Sequence, residues 1–272
     1  MLNRGLIVKS VREQWVTTLV FGIALMLICG LLAFALPRFQ QQIMWKAQQF
    51  PMLQNVRNVM LGTDVGLSTG PEVPMGIAWS HPVVLALLWA HAIICCTRVP
   101  AGEIDRGTID VLLGLPVSRW KVYVSETVVW IGSAVVVLLM ALLGSSLGSR
   151  LAPEDLRAEL GKTVVALVNL GFLYGVVGAF AWMMSSLSDR RGRAVTAVLI
   201  VVLLSFLLNY LALFWDPAKR VAFLSILNYY RPVFPLRDGL WPWRDMGVLA
   251  GLVAVFWTVG GLVFARRDLS TL

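Results

Sequence analysis

The stretch Thr97–Lys121 reads TRVPAGEIDRGTIDVLLGLPVSRWK and separates two apolar runs that lie close together in the chain. It is charged where its neighbours are not, and it carries a short helix of its own. Thr108 is placed to cap a turn starting at Ile109, because its hydroxyl can accept from a free amide two or three residues on. Ile104, Thr108, Val111, Leu112 and Leu115 recur at steps of three and four, which puts them on one helical face. Gly114 and Pro116 end the turn, since proline drives the preceding Leu115 out of the helical region. Ser118 then caps the next helix, which runs straight into an apolar span. A short helix hinged at both ends by Gly and Pro, lying across the water-facing end of a bundle, is built to receive a push.

Working outward, the 272 residues are 58% hydrophobic and 14% charged, with a mean hydropathy of +0.77. Soluble domains carry about 25% charge, so this chain has too little polar surface for water on all sides. Crossing a hydrocarbon core of about 30 Å takes about 20 apolar residues. Six runs meet that requirement, near residues 16–36, 79–97, 122–148, 163–185, 194–214 and 246–264. The fold class is therefore an all-α membrane protein with six transmembrane helices in a single domain, 1–272.

The basic residues set the orientation. Arg4, Lys9, Arg12, Arg98, Arg106, Arg119, Lys121, Arg190, Arg191, Arg193, Arg266 and Arg267 share one side, and the longer loops of the other side hold the rest of the 23. The positive-inside rule then places both termini in the cytoplasm. The net charge of +8 is read as a signal for topology and lipid headgroups rather than for nucleic acid.

Residues 2–14 read as an amphipathic helix in the inner interface, with Leu6, Ile7 and Val11 opposing Arg4, Lys9 and Arg12. Ala33-Phe34-Ala35 resembles a signal-peptidase site, but the run before it is long and five more spans follow, so an uncleaved first span is expected. Residues 37–78 make the largest outer loop, too apolar for a free linker. It is expected to fold back on the outer headgroups as a cap, or to shape a substrate exit. Residues 215–245, broken by prolines 232, 235 and 242, read as a re-entrant or interfacial hairpin before the last span. Trp15, Trp79, Trp120, Trp182 and Trp215 fall near span ends, as an aromatic belt does.

Glycine pairs at helix-packing spacing occur at Gly144 and Gly148, Gly171 and Gly175, and Gly247 and Gly251. Asn169 and Asn209 are lone polar residues within spans, expected to hydrogen-bond between helices. His91 and Cys95 share a helical face. A metal contact is conceivable there, and a packed helix interface is the simpler account. Glu126 is the one carboxylate inside a span, which argues against a carrier with its own coupling ion. Gly161-Lys162-Thr163 gives the tail of a phosphate-binding loop, but position 156 is Leu and no strand precedes it. No nucleophile–base set or zinc motif appears, so the chain is not expected to be an enzyme.

The run Gly102-Glu103-Ile104-Asp105-Arg106-Gly107-Thr108-Ile109-Asp110, followed by Leu112-Leu113 and Pro116-Val117-Ser118-Arg119-Trp120, resembles the type-2 ABC exporter permease family. The ending, with Tyr229-Tyr230 before Pro232 and Arg266-Arg267-Asp268-Leu269 after the last span, is similar too. One departure is Ser125-Glu126, where the family commonly has Gly-Lys. The resemblance implies a permease subunit that pairs with a second copy and with two separate ATP-binding subunits. Those partners would hold ATP and Mg, and this chain would hold no cofactor. Glu103, Arg106, Gly107, Thr108, Ile109, Leu112, Pro116, Ser118 and Arg119 would form the coupling site for the ATPase. Glu103 and Arg119 are candidate partners in a charge pair, or else solvated interface charges. A bacterial cytoplasmic membrane and an export role are implied, with lipids and an extracytoplasmic protein as further partners. The apolar interior leans towards a lipid-like or amphipathic cargo, although helix packing explains the same residues. The alternative is a membrane scaffold that joins a cytoplasmic ATPase to an extracytoplasmic partner without transport.

Overall fold

A computed structural model describes residues 4–47, 70–114 and 116–267, with backbone alone at 41–47, 112 and 113. Among these residues every regular element is helical and none is a strand. Six helical stretches are long and apolar enough to cross a membrane. They comprise α1 (Arg4–Ala47), the pair α2 (Glu72–Ser80) and α3 (Pro82–Cys96), then α5 (Arg119–Arg150), α6 (Leu160–Leu187), α7 (Arg191–Leu211) and α10 (Trp243–Arg266). The short helix α4 (Ile109–Leu113) lies between the second and third spans, and α8 (Asp216–Val221) and α9 (Val233–Asp238) lie before the sixth.

Helix α1 corrects two expectations. At 1.5 Å per residue its 44 residues extend about 66 Å, so one rod replaces the amphipathic helix, the first span and the start of the outer loop. Nothing between Gly5 and Gly22 breaks the chain near Gln14, and the residues after Pro37 contain no further Gly or Pro before Ala47, so the helix resumes. Leu6 also leaves the expected interfacial face, since it belongs to the buried stripe. Leu6, Ser10, Gln14 and Thr18, four apart, face the protein, while Val11 and Trp15 are exposed. In lipid, polar side chains turn towards other helices because hydrocarbon offers them no partner.

The expected outer loop is shorter than residues 37–78, since residues 72–80 already form α2 and pack on α1 and α9. The remainder of that loop, 48–69, lies outside the described residues. His81 breaks the second span in an extended conformation, its Nδ1 accepts from the amide of Val83, and Pro82 opens α3.

Helices α1 and α5 run side by side at a nearly constant offset, from Ser10 against Glu126 to Arg38 against Leu151. Glycine makes that approach possible. A Cβ on Gly144 would overlap the backbone of Met26, and one on Gly148 the backbone of Gly30. Gly171 and Gly175 meet Leu138 and Val253 at ordinary to tight contact, 3.4 and 3.2 Å from where their Cβ atoms would be. Gly247 and Gly251 depart from the expectation, since nothing lies within 4 Å of them. Their helix packs instead through Gly260 and Gly261, against Met183, Tyr123 and Trp120.

Helix α6 is the most enclosed span and packs on α10, α3, α7 and α9. Two tryptophans assigned to the aromatic belt are core residues: Trp79 and Trp182 are each 1% exposed, and Trp182 packs edge-on against Tyr123. Trp15, Trp120 and Trp215 stay exposed. The region before the last span consists of helical pieces with breaks at Pro232 and Pro242, as expected, and at Ser225, whereas Pro235 lies inside α9; Phe223, Leu224, Trp241 and Trp243 are outward. Ser225 donates to the Ser205 carbonyl, Tyr230 to that of Trp79, and Asn169 to that of Tyr229, which bind this region to three spans.

Candidate functional site

The chain leaves α3 at Thr97 and reaches α5 at Arg119, and every span sends a side chain or backbone group to this segment. Arg191, at the start of α7, donates to the Thr97 hydroxyl and the Ile94 carbonyl. Ser185 of α6 accepts from the amide of Ala101. Arg119 donates to the Phe264 and Arg267 carbonyls at the end of α10, satisfying acceptors that a helix end leaves open. Arg267 in turn binds the Ser186 carbonyl and Asp189 in the turn between α6 and α7. The segment is therefore tied by hydrogen bonds to α6, α7 and α10 at this end of the bundle.

Arg98 provides the tie to α1 and α5. It is buried, and its guanidinium pairs with Glu126 of α5 and Glu13 of α1 and donates to the Ser10 hydroxyl at 3.1 Å. Glu126, 5% exposed, also accepts from Ser10 and from the Gln14 amide. A carboxylate at this depth is tolerated because one arm of the Arg98 guanidinium meets it, the other arm going to Glu13, and hydroxyl and amide donors fill further lone pairs. The cluster is not fully saturated, since Gln14 Oε1 and Arg98 Nε are buried without hydrogen-bond partners.

Beyond Gly102 the chain makes one α-helical turn, Glu103–Asp105, then reverses at Gly107, whose φ of 69° is open to glycine at little cost. That turn interrupts the helical face expected from Ile104 to Leu115. Ile109 is wholly buried, whereas Val111 is 75% exposed. The Thr108 hydroxyl does not cap α4. It donates to the Glu103 carboxylate, which also pairs with Arg106 at 3.0 Å. Of the two readings for Glu103 and Arg119, the charge pair is not formed, because each is committed elsewhere. Ser118 does cap α5, accepting from the amide of Lys121.

Of the expected site residues, Glu103, Arg106, Gly107, Thr108 and Ile109 form one compact unit. Ser118 and Arg119 form a second at the start of α5, with exposed Pro116 before it. The side chain of Leu112, residue 115 and residues 268–269 lie outside the described residues. Arg98 and Glu126 were not joined by reading the sequence. The available signal was that a carboxylate inside a span needs a cation, and Arg98 is the first basic residue after the neighbouring span.

A second buried polar chain lies deeper. Trp130 Nε1 donates to the Tyr174 oxygen at 2.8 Å, so the Tyr174 hydroxyl proton is free to go to His91 Nδ1 at 2.9 Å. That places the imidazole proton on Nε2, which faces Cys95 Sγ at 3.6 Å. His91 is thus engaged on both nitrogens, joining α3, α5 and α6 as a packed interface.

The ABC-2 family transporter protein model matches residues 7–269, nearly the whole chain. The chain belongs to the ABC-2 transporter family. An ABC-2 family membrane protein is the permease component of an ABC transporter, a multi-pass part of the transport machinery rather than the catalyst, and the family implies an ABC ATPase partner. This ABC-2 chain is also similar to a Bacillus subtilis (strain 168) protein described as the uncharacterized membrane protein YdbK. The two are 30% identical over 237 residues, covering 81% of this chain and 91% of the relative.

Proposed function

We propose that this permease subunit exports a substrate across a bacterial cytoplasmic membrane, driven by a separate ABC ATPase that binds ATP and Mg. The end of the bundle carrying residues 98–119 faces the cytoplasm, and a second copy of the chain completes the pathway. Residues 103–113 act as the coupling helix, seated in a groove of the ATPase. The observation that carries this reading is the contrast between Ile109, buried against the bundle, and Val111, standing out from the same short helix. A segment fixed on one side that presents Val111 beside exposed Asp105, Arg106 and Asp110 on the other is shaped for a protein partner. ATPase closure would press on it, and Arg98, Arg119 and Arg191 would pass the displacement to α1, α5, α10 and α7.

Co-expression with a candidate ABC ATPase from the same genome, followed by purification through a tag on this chain, tests the proposal. The ATPase is expected to co-purify with the wild type and to be lost from Val111→Glu. ATP turnover without flux, together with capture of an extracytoplasmic protein, would favour the scaffold instead.

A further inference from the structure

On their exposed apolar side, α1 and α5 border a trough of about 530 Å³ in the half where both begin. Its walls are Ile7, Val11, Trp15 and Leu19 on α1 and Val128 and Val136 on α5. Gly132 also lines the trough and leaves it open, since an added Cβ there would meet nothing within 4 Å. The polar residues of the trough turn inward. Thr18 donates to the Gln14 carbonyl at 3.0 Å, Ser133 to the Trp130 carbonyl at 2.7 Å, and the Gln14 amide reaches Glu126. What remains towards the lipid is hydrocarbon, which suits an acyl chain and not a sugar or peptide.

Charge at the mouth narrows the occupant. Arg4 lies one turn before Ile7 on the stripe that continues through Val11 and Trp15. Lys121 lies on α5 one turn before Ser125 and two before Val128, and the offset between Ser10 and Glu126 brings it level with Arg4. Both are exposed. Trp15, at 55% exposure, lines the trough itself, about three helical turns on from Arg4. The geometry points to a binding site for one anionic glycerophospholipid, with an acyl chain along Gly132 and its phosphate-bearing headgroup between Arg4 and Lys121. Such a lipid would wedge α1 against α5 below their glycine contact at Gly144. The inference does not depend on how residues 98–119 meet a partner.

The test uses the full chain in nanodiscs of equal phosphatidylcholine and phosphatidylglycerol, then native mass spectrometry of the lipid retained after mild detergent extraction. The wild type is expected to keep phosphatidylglycerol over phosphatidylcholine by about fivefold or more. Arg4→Gln with Lys121→Gln brings the ratio to that of the bulk without altering the fold, since both side chains are exposed. Gly132→Leu fills the trough and lowers retention of both lipids at an unchanged melting temperature. Three results would overturn the site: no headgroup preference in the wild type, undiminished retention by Gly132→Leu, or a disulfide between copies of Gly132→Cys in the membrane, which would give the trough to a second chain.

Discussion

Arg98 and Glu126 are 28 residues apart, on the chain leaving the second span and in the third, and they meet as a buried ion pair that also takes in Glu13 of the first. The pair joins the segment proposed for coupling to the two helices that run most closely together. Its burial decides what breaking it does. Arg98→Met leaves Glu126 without its cation and is expected to destabilise the protein by about 3–5 kcal/mol. The double variant Arg98→Met with Glu126→Met removes both charges and should recover most of that loss, while transport and stimulated ATP turnover stay low. Thermal unfolding in detergent, beside ATPase assays of the complex, separates the two effects.

Glu13 makes a contrasting case. It is partly exposed and lies at the outer edge of the same cluster. Glu13→Gln should cost about 1 kcal/mol or less, and the melting temperature should hardly move. A loss as large as that of Arg98→Met would place Glu13, rather than Glu126, at the centre of the network.

Tyr174→Phe removes the hydroxyl shared by Trp130 and His91 and leaves two buried polar groups without partners. Each orphaned group costs about 1–3 kcal/mol, so the variant should be markedly less stable, though the rings still pack. Unfolding monitored by tryptophan fluorescence reads the change, with Phe180→Leu as a volume-only comparison.

Gly144→Val should separate α1 from α5, because the first added carbon already overlaps the Met26 backbone. Overpacking of side chains costs about 1–3 kcal/mol, and a clash with backbone is expected to exceed that range. Gly247→Val, facing open space, should leave the monomer's stability unchanged. Loss of a dimer band in Gly247→Val alone would instead place that open face between two copies.

The six spans could be read from the sequence because apolar runs of this length have few other uses, and the Ser118 cap because its partner amide is local. The first glycine pair was legible for a similar reason, since small residues four apart admit a neighbouring backbone. What failed depended on direction in space. Leu6, Ile7 and Val11 were assigned to one face in the membrane interface, whereas Leu6 joins Ser10 and Gln14 on the stripe that faces the protein and Val11 stays exposed. Thr108 has a capping position, but a carboxylate five residues earlier competes for its hydroxyl and wins through the stronger charge-assisted bond. Trp79 and Trp182 lie near span ends in sequence, yet α1, α5 and α10 close over them. The Arg98–Glu126 pair was hidden because neither periodicity nor local spacing relates the end of one helix to the interior of the next.

The central claim is that the exposed face of α4 meets an ATPase on the cytoplasmic side. A cysteine in place of Val111 tests it with low background, because the three native cysteines are buried. In intact cells carrying both subunits, Val111→Cys should resist a membrane-impermeant maleimide. In opened membranes it should cross-link to the ATPase, with the yield changing when ATP is added. Labelling of Val111→Cys from outside intact cells would contradict the account.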